Sequence, residues 1–193
     1  MTCTDYNIKF NDGLFDNNVW LSRSSADQKG IDEYIANNQD TYRDKTCLHV
    51  GTGNSSIAIT HHKQFKHIDG LAIDPNEVKL ANDLHISNYT CYLINKYKLE
   101  ELSVLGNYDV IIDNNIKLYA CCNEHYMDYF NWILDTVASR NGEIITHTGG
   151  YYQHDNEELD RVANRVQYKT YQRPRGADFS AVVLIKPIVT NYV

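Results

Sequence analysis

Short apolar runs alternate with longer segments of helical spacing along this chain. The apolar runs "TCLHV" (46–50), "IDGLAID" (68–74), "YTCYLI" (89–94), "YDVIID" (108–113) and "EIITHT" (143–148) read as strands. Helical spacing fills the intervals: "SSADQKGIDEYIANN" (24–38), "SSIAITHHKQF" (55–65), "PNEVKLANDLH" (75–85), "LEELSVL" (99–105), "EHYMDYFNWILDTVAS" (124–139) and "NEELDRVANRV" (156–166). Ser24 or Ser25 caps the first helix, Pro75 occupies the first turn of the third, and Asn141-Gly142 stops the longest. Strands that are apolar throughout, rather than on alternate residues, describe a parallel sheet covered by helices on both faces. The end of the chain differs. "QYKTYQ" (167–172) and "FSAVVLIKP" (179–187) are joined only by "RPRGAD", which is too short for a parallel crossover, so the last strand is expected to run against the others.

One junction in this pattern asks for an explanation. The first strand stops at Gly51-Thr52-Gly53-Asn54-Ser55, and a helix begins at once. Two glycines there let the backbone turn sharply and leave no Cβ between it and a ligand. The helix start directs unpaired N–H groups to the same place. The second strand ends in Asp74, roughly 20 residues after the glycines, where a carboxylate can accept from both hydroxyls of a ribose. Asp74 is also a natural cap for the helix that opens at Pro75, and one residue can serve both purposes. A dinucleotide fingerprint would place a third glycine at position 56; the chain has Ser56, and its antiparallel tail also disfavours that type of sheet.

Composition narrows the classes. The 193 residues carry a formal charge of −7, which argues against affinity built on phosphate neutralisation, so no nucleic-acid partner is expected. No apolar stretch has the length of a membrane span, and the start of the chain lacks a basic lead and apolar core, so neither membrane nor secretory signal is expected. Cysteines at 3, 47, 91, 121 and 122 include no Cys-x-x-Cys pair, so free thiols in a reducing, cytoplasmic setting are expected and no metal site. His61 and His62 are helix neighbours about 100° apart and would not meet one ion. One domain over 1–193 is expected, with 1–45 as a helical cap in which Phe15, Trp20 and the helix at 26–38 fold over a pocket. Oligomeric state is not legible.

"LHVGTGNSS", "GLAIDPNEV", "YDVIIDNN" and the terminal hairpin resemble class I S-adenosylmethionine-dependent methyltransferases, over roughly residues 46–187. The resemblance implies a Rossmann-like, doubly wound, three-layer α/β/α fold of seven strands. It implies S-adenosylmethionine as cofactor and S-adenosylhomocysteine as product. It places the cofactor on Gly51, Thr52, Gly53, Asn54 and Ser55, its ribose on Asp74, its adenine beside Asn95, and its methionine by Asp113-Asn114. One position departs: that family often has an acid where this chain has His49, which reads equally as a buried strand histidine.

Methyl transfer mainly requires a nucleophile held in line and water kept out, so the acceptor side is written less clearly than the cofactor side. Asp113, Tyr119, His125, Tyr126, Tyr151 and Tyr152 are candidates to line an acceptor pocket, with His147 and Asp113 as catalytic candidates. Tyr126, Tyr129, Phe130 and Ile133 also fit the buried stripe of a helix. The absence of a Pro-Pro-aromatic signature after Asp113, and the small cap, favour a small-molecule acceptor. An aminopropyl or other alkyl transferase, a cleavage enzyme on the same scaffold, and an inactive cofactor-binding module remain open readings.

Overall fold

A computed structural model describes residues 24–117, 120–147, 165–172 and 181–188. The helix expected at 156–166, the "RPRGAD" turn, Phe15, Trp20, Tyr119, Tyr151 and Tyr152 lie wholly or largely outside them. The elements are α1 (Ala26–Asn37), α2 (Gln39–Tyr42), β1 (Thr46–Val50), α3 (Ser56–His61), β2 (His67–Ala72), α4 (Pro75–Asp83), β3 (Tyr89–Leu93), α5 (Leu99–Leu102), β4 (Val110–Asp113), α6 (Asn123–Ala138), β5 (Glu143–His147), β6 (Val166–Gln172) and β7 (Ala181–Pro187).

The strands form one sheet in the order β3-β2-β1-β4-β5-β7-β6. β1 pairs in parallel with β2 and β4, β2 with β3, and β4 with β5, whereas β7 is antiparallel to both β5 and β6. The expected reversal of the last strand is therefore present. So are apolar residues on both faces. Leu48, Ile111, Ile144, Val183 and Ile185 pack into one core with α6, while Cys47, Val110, Ile112, Ile145, Val182 and Leu184 pack into a second with α1, α3 and α4. Two covered faces explain why these strands read as continuous apolar runs.

Local chemistry sets the element ends. Ser25 accepts from the Gln28 N–H and starts α1; Asp74 accepts from the Asn76 N–H and starts α4. α3 is shorter than its pattern suggests: it ends at His61, and Phe65 packs into the core just before β2. At the opposite end of the sheet, Gly142 lets β5 close against β4: a Cβ there would run into the Asp109 carbonyl, which accepts from the Glu143 N–H at 3.0 Å. Gly142→Ala is expected to destabilise the protein by about 2 kcal/mol through forced backbone displacement, read as a lowered urea midpoint with an unchanged slope.

Candidate cofactor site

β1, β2 and β4 end together. Val50 stands opposite Leu71 on one side and Asp113 on the other. The N–H groups of Gly51 and Thr52 both donate to the Leu71 carbonyl, at 2.8 and 3.2 Å, which folds the loop back over β2. Gly51 (φ +72°) and Gly53 (φ +50°) hold left-handed conformations, as does Ser55 (φ +59°). A Cβ built on Gly51 would meet nothing within 4 Å, so open space lies over that backbone.

The loop's side chains face the protein instead. Thr52 Oγ1 lies 3.7 Å from Cys91 Sγ, Ser55 Oγ 3.0 Å from the Tyr89 hydroxyl, and the Asn54 amide donates to Ser24 Oγ at 3.2 Å. Thr52 and Ser55 are buried. What the loop can offer a ligand is therefore its glycine backbone.

Asp74 lies on the same end of the molecule. Its Oδ1 accepts from the Asn76 N–H at 2.8 Å, while its Oδ2 is buried and has no partner among the described residues. Glu77, one turn along α4, approaches the Gly53 N–H, which favours its charged form; burial, the larger effect, raises its pKa and the Asp74 charge adds to that. This link between α4 and the glycine loop escaped the sequence reading. Its only sequence signal was an acid in the first turn of a helix, which is ordinary.

On the α1 side of the sheet lies a polar seam. Gln28 Oε1 accepts from the Asn114 amide at 3.1 Å and contacts His49 Nε2 at 3.3 Å. An amide oxygen only accepts, so Nε2 carries the proton and Nδ1 keeps its lone pair. His49 Nδ1, Gln28 Nε2 and Asn114 Oδ1 are all buried without a partner among the described residues. Burial pulls the His49 pKa down to about 4, against the opposing pull of Asp32 and Asp113. His147 ends β5 on the same side, buried, with Nδ1 3.0 Å from Asp27 of α1. α1 thus lies along the second core with Asp27 and Gln28 directed at the strand ends.

The lowered pKa sets a pH dependence. The unfolded chain binds a proton on His49 below about pH 6.5, whereas the folded chain does so only near 4, so stability rises with pH between those values. Acidification from pH 6.5 to 4 is expected to cost up to about 1.4 kcal/mol per unit through this group. His49→Asn should remove that part of the slope in denaturant titrations run at several pH values.

The opposite side of the strand ends is occupied. Asp113 is 1% exposed; Oδ1 accepts from the Asn115 N–H at 2.9 Å, and Oδ2 accepts from Lys96 Nζ at 2.9 Å and the Tyr129 hydroxyl at 2.8 Å. The Lys96 ammonium also donates to the Asn115 carbonyl at 2.5 Å and sits over the Tyr97 and Tyr129 rings. The Asp113 carboxylate, a candidate for catalysis, thus anchors a buried ion pair. Asn95 Oδ1 accepts from the Tyr97 N–H at 3.0 Å. Tyr126, a candidate for the acceptor pocket, is fully buried in the core and stacked on Phe130, as the helical stripe allows. His61 turns inward to Asp32 at 3.3 Å while His62 bonds its own helix, so the two share no site. His125 is half-buried at the start of α6, between Cys121 and Cys122.

No protein-family model matches the chain, and no curated protein matches its sequence. Solved structures match its shape closely. The N-methyltransferase NodS from Bradyrhizobium japonicum WM9 superposes with a TM-score of 0.62 at 9% identity, covering 90% of this chain and 98% of that one. The fold is that of the class I S-adenosylmethionine-dependent methyltransferases. Magnesium protoporphyrin IX methyltransferase (ChlM) from Synechocystis PCC 6803, solved with bound S-adenosylmethionine, matches at 0.61 and 17% identity over 94% of this chain and 96% of that one. An rRNA methylase from Streptococcus thermophilus matches at 0.56 and 14% identity, over 83% and 97%. Within this methyltransferase fold, the glycine loop, Asp74 and Asn114 occupy the carboxyl ends of the central strands, the side of an open α/β sheet where ligands bind. Among the described residues no helix is long and apolar enough to cross a membrane.

Proposed function

We propose that this chain binds S-adenosylmethionine across Gly51–Gly53 and transfers its methyl group to a small-molecule acceptor. The observation that carries the proposal is the Asp74 carboxylate, at the same end of the sheet as the open Gly51 backbone: one oxygen caps α4, and the other is buried with no partner among the described residues. A buried carboxylate oxygen without a donor is costly, and ribose hydroxyls supply donors.

The remaining groups suit the rest of the cofactor. Gln28 Nε2 offers a donor suited to a carboxylate; His49 Nδ1 and Asn114 Oδ1 offer acceptors suited to an ammonium. A neutral His49 is thus an acceptor at the position where the related fold often has an acid. Asn95, with its oxygen committed to the Tyr97 N–H, has its NH2 group to offer adenine. When bound, the cofactor supplies an electrophilic methyl group on sulfur. The chain's task is to hold an acceptor in line and exclude water. Where that acceptor must lose a proton, we assign the task to His147, whose Nδ1 is oriented by Asp27.

The net charge of −7 supports a small acceptor over RNA. Incubating the protein with methyl-labelled cofactor and, separately, a small-metabolite extract, rRNA and ribosomal protein tests this. Label entering the metabolite fraction is expected. Label entering only RNA or protein would reject the small-molecule acceptor, and label entering none of the three would reject methyl transfer.

A further inference from the structure

At the start of α6, two thiols and an imidazole converge. Cys121 Sγ and Cys122 Sγ lie 3.1 and 3.3 Å from the same nitrogen, His125 Nδ1, and 3.7 Å from each other. Adjacent residues usually direct their side chains apart. Here Cys122 is the N-cap of α6 and His125 sits one turn in, while Cys121 folds back onto the same side. All three residues are half-buried, so the cluster has a path to solvent.

Hydrogen bonds from the two sulfurs compete for one imidazole nitrogen. A neutral imidazole nitrogen has either one lone pair or one proton, so Nδ1 can form one linear bond with one sulfur. Two sulfurs share it. A cation at the centre would engage all three atoms at once. We propose that Cys121, Cys122 and His125 form a binding site for a thiophilic d10 cation, Zn2+, with its fourth position open to solvent or an exchangeable ligand.

The geometry supports the assignment. Zinc bonds of about 2.3 Å to sulfur and about 2.0–2.1 Å to nitrogen at tetrahedral angles put two sulfurs about 3.8 Å apart and sulfur and nitrogen about 3.6 Å apart. The sulfur–sulfur edge already has that length at 3.7 Å. The sulfur–nitrogen edges need to open by only about half an ångström. The helix N-terminus also favours the thiolate forms that zinc requires. Two soft ligands with one imidazole suit zinc over magnesium or calcium, which take oxygen. Among the described residues the cluster supplies three protein ligands, and a three-ligand zinc site keeps a corner for an exchangeable group. The sequence carries the cluster as Cys-Cys-x-x-His, a spacing that a search for Cys-x-x-Cys passes over.

The site can be tested without reference to the cofactor. Reduced, chelator-treated full chain is titrated with Zn2+ against an indicator dye, and in parallel with Co2+ as a spectroscopic probe. One equivalent of Zn2+ should bind with Kd at or below about 1 μM, the Co2+ form showing thiolate charge-transfer and tetrahedral visible bands. Cys122→Ser keeps a capping oxygen at the start of α6, so it should fold like the parent yet bind Zn2+ at least about 100-fold more weakly. Cys121→Ser and His125→Ala should do the same, while Cys3→Ser should bind as the parent does. Absence of binding below about 100 μM, or stoichiometric binding that survives Cys122→Ser and His125→Ala, overturns the proposal.

Discussion

Replacing Lys96 with Met is expected to cost the folded state about 3–5 kcal/mol, the largest stability effect of any substitution considered for this chain. Asp113 is 1% exposed, and Lys96 is the one cation bonded to its carboxylate among the described residues. Methionine fills similar space but leaves the carboxylate, among the described residues, with the Tyr129 hydroxyl and the Asn115 N–H. An uncompensated buried charge is the costly half of a broken ion pair. The double variant Lys96→Met/Asp113→Asn should recover most of the loss at neutral pH, because it removes the charge together with its partner. Chemical denaturation of the parent and both variants at pH 7 checks this. An equal deficit in the single and double variants would show that Lys96 acts through packing over Tyr97 and Tyr129 instead.

Asp74→Ser is expected to weaken cofactor binding by about 100-fold while leaving stability within about 0.5 kcal/mol of the parent. The capping role of Asp74 and its proposed ribose-binding role separate in this substitution. Serine caps helices about as well as aspartate, so the bond to the Asn76 N–H has a replacement. Serine lacks the second, charged oxygen, and hydrogen bonds to a charged group contribute about 1.5–3 kcal/mol each. Asp74→Ala should lose the cap as well and destabilise the fold by about 1 kcal/mol. Titration calorimetry with S-adenosylhomocysteine, paired with thermal melts, distinguishes these outcomes. Unchanged affinity in Asp74→Ser would assign Asp74 to capping alone.

The sequence showed most of the architecture because its signals were local. Apolar runs bounded by Gly, Pro and Ser gave seven strands, and the short link before residue 179 gave the direction of the last one. The glycine loop and Asp74 were visible for the same reason: each sits where a strand pattern meets a helix pattern. What stayed hidden depends on contacts across the fold. Lys96 follows β3 and Asp113 ends β4, yet β2 and β1 stand between those strands in the sheet. Only the path of the chain between β3 and β4 brings the two charges together. Gln28 meets His49 and Asn114 because α1 lies against the strand ends, which composition and periodicity do not reveal. Tyr126 shows the converse. A tyrosine at a helical core position and one at a ligand pocket are written alike, and packing against Phe130 decides between them.

The proposed function turns on where an adenosyl group sits. A crystal structure of the full chain with S-adenosylhomocysteine measures it directly. The ligand is expected to lie over Gly51 and Gly53, with at least one ribose hydroxyl about 2.5–2.7 Å from the Asp74 carboxylate. A ligand bound elsewhere on the sheet, or none at millimolar concentration, would contradict it.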